Sequence, residues 1–507
     1  MHPIRTLIAA IAATPLMAIA ATDASIEERL RALEQRQTQL EQQLAERDAR
    51  IRELEAKAQP VPVVVAGETP VAAPPLPEPD SASVPATGVE EPALGALDAK
   101  APEETESSWG RYEGGKGIVL ARSEDAEVAF SAFTYIRYLN QLALDDTYTD
   151  AFGRTKDLDL RNDVQFQKVT LNFKGWLFDP DFRFLFYTWT SNTSQGQNAQ
   201  VVVAGNLSYH FNEAFSLAGG IGALPSTRTT NYTFPNWLRV DNRTMADEFF
   251  RGSYTSGIWA WGKVSDTLGY RVMLGNNLSQ LGIDATELDA NFNTFSGALW
   301  WMPTTSEFGP AQGFGDFEHH EELATLFSTH FTRSREDAQA QPGLDDFENS
   351  QIRLSDGTLI FQEDPFGTGT QIRKATYQMA ALSAGAKYHG FSLDGEYYWR
   401  WVDDFRANGP LPFDDNEMFD HGFQLQGSAM VVPKSLQAYV SGSKIYGEFG
   451  EPWDVALGLN WFPLQRRELR LNVQGLYLED SATGGSSLPY LVGSNGWVFT
   501  TDVMLNF

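Results

Sequence analysis

The stretch Trp497-Val498-Phe499-Thr500-Thr501-Asp502-Val503-Met504-Leu505-Asn506-Phe507 decides the fold. Trp497, Phe499, Thr501, Val503, Leu505 and Phe507 fall on one face, and Val498, Thr500, Asp502, Met504 and Asn506 on the other. A period of two marks a strand, because successive side chains point to opposite sides. The length suits a tilted strand crossing hydrocarbon, which takes ~9–11 residues. One face is aromatic and aliphatic, and the other is more polar. A half-buried soluble strand can share this pattern, so the rest of the chain must choose.

The strand resembles the closing strand of a bacterial outer-membrane β-barrel, where the terminal aromatic, here Phe507, is read by the insertion machinery. Composition agrees with a barrel. The chain is 42% hydrophobic and 12% aromatic, with a mean hydropathy of −0.30. It has no long apolar run after residue 20, so no helical span is expected. Cys is absent, which excludes disulfides, thiolate metal sites, Cys nucleophiles and a lipoprotein anchor. A formal charge of −28 argues against non-specific binding of nucleic acid or of an anionic membrane surface.

Four regions follow from the order of the chain. Residues 1–20 carry Arg5, an apolar stretch and small residues around Ala20, and read as a secretory signal peptide. Residues 21–58 hold a heptad pattern: Ile26, Leu30, Leu33, Leu40, Leu44, Ile51 and Leu54, with Gln37 and Arg47 in the vacant core slots. This predicts a coiled coil about 45 Å long at ~1.5 Å per residue, against the alternative of a solvated single helix. Residues 59–107 are a Pro- and Ala-rich periplasmic linker. Residues 108–507 are the barrel.

Alternating segments predict about 16 strands, starting near Ala126, Asn162, Phe182, Gln200, Ala214, Phe249, Leu268, Asn293, Glu322, Ala375, Phe391, Phe419, Ser435, Trp453, Arg467 and Trp497. Long connections fall near 139–161, 225–247, 278–291, 334–373, 404–417 and 479–495, and alternate with short ones. Residues 303–320 break that alternation: either the strand count slips there, or a periplasmic turn carries an insertion.

Residues 168–184, 246–262, 385–400, 431–434 and 458–463, with Phe507, give this region a resemblance to the phosphate-selective porin O and P family. The resemblance spans roughly 108–507 and rests on turn and strand residues. It implies an all-β transmembrane barrel of 16 antiparallel strands, preceded here by a short helical coiled coil. It also implies a homotrimer in the outer membrane, with long loops folding inward to narrow the pore. The family's phosphate-selective members carry lysine-rich mouths. Here the external loops hold almost no Lys beyond Lys156 and Lys374, and 334–373 is acidic.

With the apolar set of each strand facing lipid, the lumen receives Arg137, Lys168, Lys174, Arg183, Arg271, Lys387, Arg400 and Arg470 against Asp394, Glu396, Asp454 and Asp502. A charge facing lipid at mid-depth costs ~2–4 kcal/mol, which favours the inward assignment. Rings of Arg or Lys favour anions; alternatively the charges pair and merely wet the wall. The strand around Ile258-Trp259-Ala260-Trp261 leaves its lipid face open. Loop 225–247 is the candidate constriction, with Arg228, Arg239 and Arg243 suited to oxyanions, unless it packs on its own wall. The solute-contacting set is therefore Arg228, Arg239, Arg243, Lys168, Lys174, Arg183 and Arg271.

Enzyme signatures are missing: no Gly-x-Ser-x-Gly elbow, no phosphate-cradling Gly-Lys-Ser/Thr loop, no His-Glu-x-x-His. His319-His320-Glu321-Glu322 suggests a metal site only weakly, since adjacent side chains on a strand point apart. No cofactor is expected. The reading is a porin for small hydrophilic solutes, anions such as phosphate foremost. The alternatives are an envelope scaffold, a porin without anion preference, or an outer-membrane hydrolase.

Overall fold

The computed structural model describes residues 110–191, 200–231, 233–278, 291–309, 312–338, 352–362, 364–413, 416–485 and 488–507. The signal peptide, coiled coil and linker expected over 1–107 lie outside the described residues.

Eighteen strands hydrogen-bond into one continuous sheet. Two of them, Arg111–Glu113 and Gly117–Arg122, form a hairpin that pairs with the start of the first barrel strand. The other sixteen close a barrel: β1 Ala126–Leu144, β2 Asn162–Leu177, β3 Asp179–Ser191, β4 Gln200–Asn212, β5 Phe215–Ala223, β6 Tyr254–Ser265, β7 Leu268–Gly275, β8 Thr294–Trp301, β9 Ala324–Asp337, β10 Ile372–Tyr388, β11 Phe391–Ala407, β12 Met418–Val432, β13 Leu436–Tyr446, β14 Trp453–Trp461, β15 Leu469–Glu479 and β16 Gly496–Asn506. Each strand pairs antiparallel with its chain neighbours. The seam closes where β16 pairs with β1, Thr501 opposite Tyr138 and Val503 opposite Ile136. Closure leaves no barrel strand with an unpaired edge.

The expected starts agree with these strands except at Phe249. That residue lies in a helix, α1, Met245–Phe250, and β6 begins at Tyr254. The reason is a change of period: Ala246, Phe249 and Phe250 are spaced three and four apart, which collects them on one face of a helix. The break at 303–320 is an insertion: the β8–β9 connection is long and the strand count holds.

Alternation sets what each face meets. On β16, Trp497, Phe499, Val503 and Leu505 are exposed on the outside, while Val498, Thr500, Asp502 and Met504 are buried inside. On β6, Ile258 faces out at 48% exposure and Trp259 faces in at 2%, which settles the open strand. Trp259 fits because position 222 is Gly; a Cβ there would stand 3.1 Å from the indole. Aromatics gather at both ends of the outer face, the positions of interfacial girdles. Trp401 and Phe419, and Trp453 and Tyr477, pack at the long-loop end, with ring centroids 5.5 Å and 5.2 Å apart. Trp301 and Phe327 pack at the short-turn end, 5.9 Å apart. The β10–β11 turn needs left-handed backbone at His389 (φ 49°) and Gly390 (φ 83°), the geometry of the tightest hairpins.

Candidate functional site: a lumen crossed by the 224–253 loop

The long loop between β5 and β6 folds into the barrel. Its first turn is built on hydroxyls: the backbone N–H groups of Ser226 and Thr227 donate to Thr230 Oγ1 at 3.1 and 3.0 Å. Such side-chain bonds compete with regular structure and hold a compact turn. The loop then reaches the far wall. Arg470 Nη1 donates to Trp237 O at 2.6 Å and Asn460 Nδ2 to Leu238 O at 2.9 Å. Arg137 Nη2 donates to Val240 O at 2.8 Å.

The loop ends in α1, and the wall caps that helix. The N–H groups at a helix start lack internal partners. Here Met245 N donates to Asp454 Oδ1 at 3.1 Å and Ala246 N to Ser443 Oγ at 2.9 Å. Thr244, at the N-cap position, gives its hydroxyl to Gln424 Oε1 instead, at 2.9 Å. Phe250 stacks on Tyr398, centroids 5.1 Å apart and 15° between planes. The Arg400 guanidinium lies 4.0 Å from the Phe249 ring centroid.

Buried ion pairs fasten loop to wall. Arg239 Nη2 meets Asp454 Oδ2 at 2.7 Å, both side chains 1% exposed, and its Nε donates to Ser441 Oγ at 2.8 Å. Arg228 Nη1 donates to Asp394 Oδ1, and the Arg228 N–H donates to Glu396 Oε1 at 3.0 Å. Arg243 stays within the loop: Nε donates to Thr229 Oγ1 at 2.8 Å, Nη1 lies 3.5 Å from Glu248 Oε2, and the guanidinium sits 4.2 Å over Trp237. Burial pushes the Asp247 carboxyl above the ordinary range, Glu396 adds to that, and Arg243 opposes it. Wall-to-wall pairs accompany these: Arg137 with Asp502 at 2.6 Å and Arg400 with Asp420 at 2.5 Å.

The remaining expected solute contacts are spread out. Lys168 is the extra residue of a bulge between β1 and β2, at φ 44°, and its Nζ reaches Asp241 Oδ1 of the loop at 2.7 Å. A bulge re-aims a side chain in this way. Lys174 Nζ donates to Gly115 O at 2.7 Å, and Arg183 Nε to Pro180 O at 2.9 Å at the short-turn end. Arg271 faces the lumen, buried, 5.7 Å from the Trp259 ring. The inner face also holds Asp420 and Glu336, buried acids that the alternation of β12 and β9 places inside and that the sequence reading left out. Of the cations expected on the lumen wall, Arg137, Lys168 and Arg400 are thus paired with acids, while Lys174, Arg183 and Arg470 donate to backbone carbonyls.

Guanidiniums also gather at one place. A cavity of about 310 Å³ lies beside α1 at the long-loop end, lined by Glu248, Arg251, Arg353, Tyr377 and Arg400, with Thr483 on its rim. Arg251 Nη2 meets Glu248 Oε1 at 2.5 Å. Burial pushes the Glu248 carboxyl up, but Arg251 and Arg243 outweigh it and hold that carboxyl below its usual range. Burial holds the Arg353 guanidinium below its own. Three guanidiniums gather here against two carboxylates, Glu248 on Arg251 and Asp420 behind Arg400, which leaves one positive charge in excess at this cavity. Sequence reasoning missed Arg353 because it sits in a loop whose other charges are acidic.

The rest of the lumen is amide-rich. Asn172 Oδ1, Asn206 Oδ1, Asn231 Oδ1, Asn236 Nδ2 and both Asn242 side-chain polar atoms have no hydrogen-bond partner among the described residues. An unpaired buried polar group costs ~1–3 kcal/mol, which suits a wetted interior better than a dry core. Among the described residues, no group of His, Asp and Glu could hold a metal ion. His320 instead joins two acids, Asp316 at 2.5 Å and Glu307 at 3.0 Å.

No family model matches the chain, and no curated protein matches its sequence. Among solved structures it is similar to the outer-membrane expressed OmpT of Vibrio cholerae: 11% identity, 77% of this chain and 100% of that chain covered, TM-score 0.46. It is similar to the outer membrane channel DcaP of Acinetobacter baumannii: 12% identity, 76% and 99% covered, TM-score 0.45. It is also similar to an anion-selective porin from Comamonas acidovorans: 11% identity, 76% and 100% covered, TM-score 0.44.

Proposed function

We propose that this chain is an outer-membrane porin that passes small hydrophilic solutes by diffusion and favours anions, phosphate among them. The observation that carries the reading is the Arg251, Arg353 and Arg400 cluster around one cavity beside the inward loop. Field inside the narrow zone sets selectivity, since charges farther than a Debye length of ~8 Å at physiological salt are screened. The chain's acidic total then matters less than this cavity. Guanidinium forks suit oxyanions, and a solute entering from the long-loop end meets them before the loop. In this reading Arg243, Lys168 and Arg271 border the path, while Arg228 and Arg239 shape it by holding the loop.

A porin without anion preference is the second reading, favoured by the pairing of Arg137, Arg228, Arg239 and Arg400 with acids. Changing Arg251 and Arg353 together to Gln separates the two. The anion reading expects a clear drop in anion-to-cation permeability in planar bilayers; the neutral reading expects none.

The resemblance to the phosphate-selective porin O and P family and the heptads at 26–54 support a homotrimer associating wall to wall, with Phe507 engaging the insertion machinery. Cross-linking of the full-length protein in membranes is expected to give a trimer band, and a barrel lacking 21–107 should still trimerise. Monomer alone in the full-length sample would refute the assembly.

A further inference from the structure

The β8–β9 connection, 302–323, lies at the end where the other connections are tight. It does not hang outside. Asp316 Oδ2 accepts from Gly390 N at 2.7 Å, and His320 O accepts from His389 N at 2.8 Å, so the segment is pinned to the β10–β11 turn. Arg467 Nη2 meets Glu318 Oε2 at 3.1 Å, and Phe317 packs edge-on against Phe462, centroids 4.9 Å apart. His320 is held charged at neutral pH by Asp316 first and Glu307 second, its pKa raised to about 9. Both acids sit on the same segment, so this pair of bonds stiffens it.

From that anchor the segment reaches the inward loop. Phe314 N donates to Asn236 O at 2.9 Å. Arg228 Nη2 donates to Gln312 O at 3.0 Å, and the Arg228 guanidinium lies 4.9 Å from the Phe308 ring and 4.6 Å from Phe314. Phe314 shares one apolar cluster with Trp237, Leu238 and Tyr439, joining segment, loop and wall. Phe308 is 1% exposed and covers Lys387, whose Nζ is 4.5 Å from its ring. Lys387 Nζ has no hydrogen-bond partner among the described residues. Space remains on the other side. A cavity of about 270 Å³ lies between the segment and the wall of β4 to β8, lined by His210, Trp261, Lys263, Trp300, Glu307 and Gln312.

We propose that segment 302–323 is a second constriction, stacked on the inward loop, which seals the β10–β14 side of the short-turn mouth and confines solute to the cavity along β4–β8. The proposal rests on the porin reading. It explains why a connection that a barrel normally keeps short is long here. It also explains why Phe308 is wedged between two cations: removal of that ring opens Lys387 and Arg228 to the mouth.

The test uses the full-length protein in planar bilayers, beside a variant in which 303–322 is replaced by a tight Asn-Gly turn. The variant is expected to conduct at least about twofold more than the native channel, since a constriction sets conductance. Equal conductance from a variant with a normal heat-modifiable barrel overturns the second constriction and leaves the porin reading standing. Silence from both overturns the porin reading and the constriction with it. A second measurement does not depend on that variant folding. Lys387→Cys, in a chain without other Cys, is labelled with a membrane-impermeant thiol reagent. Adding Phe308→Ala should speed labelling about tenfold, as expected when a cover is removed from a buried thiol. Equal rates would show that Phe308 seals nothing.

Discussion

Replacing Arg228, Arg239 and Arg243 together by Ala is expected to shift the channel toward cations and raise its conductance. Arg228 and Arg239 pair with Asp394 and Asp454, with all four side chains at most 4% exposed. Taking one partner from a buried pair costs ~3–5 kcal/mol, because the other charge stays behind. The barrel keeps its hydrogen-bonded strands, so the penalty falls on the docked loop. Asp454 also holds the start of α1 through Met245 N at 3.1 Å, and that anchor weakens once the acid seeks water. Three positive charges leave the lumen while Asp394, Asp454 and Asp247 lose their guanidinium partners. Both effects lower the anion-to-cation permeability ratio, and the released loop widens the passage. An unchanged ratio with intact conductance would move the filter to the wall, with Lys168, Lys174, Arg183 and Arg271 next in line.

Deleting Phe507 is expected to cost most of the assembled barrel. Its N–H donates to Ala132 O at 3.0 Å and its carbonyl accepts from Ala132 N at 2.9 Å, across the seam between β16 and β1. Its ring lies edge-on to Phe130, centroids 6.0 Å apart. Two net hydrogen bonds at ~0.5–1.5 kcal/mol each and a Phe side chain at ~1.5–3 kcal/mol are at stake. They sit at the seam, where their loss unpairs the adjoining ends of β16 and β1. Phe507→Tyr should assemble nearly normally. The heat-modifiable fraction in outer-membrane preparations reports both results, and a normal fraction for the deletion would remove Phe507 from the closure.

Much of the barrel was legible because an apolar outer face and a polar inner face force strict alternation, and one slipped residue would turn every side chain the wrong way. The strand starts at Ala126, Asn162, Gln200, Leu268, Phe391 and Trp453 were readable for that reason. Phe249 was not, since a short helix inside a loop offers only Ala246, Phe249 and Phe250 as its period. The inward faces of β11 and β14 could be read, yet not which charges would meet. Arg228 finds Asp394 166 residues on, and Arg239 finds Asp454 215 residues on. Nothing local encodes such pairs; they arise when closure brings a loop to the opposite wall. The excess length at 303–320 was visible as an anomaly, but its inward course was not. That course depends on Phe308, Phe314 and Phe317 finding apolar partners on three different elements.

The most direct test of the account is the reversal potential of the native full-length channel in a planar bilayer under a potassium chloride gradient. With Arg251, Arg353 and Arg400 set against Glu248 and Asp420 at the outer cavity, the account predicts a potential of the sign that marks chloride as the more permeant ion. A potential of the opposite sign, marking potassium as favoured, would contradict it.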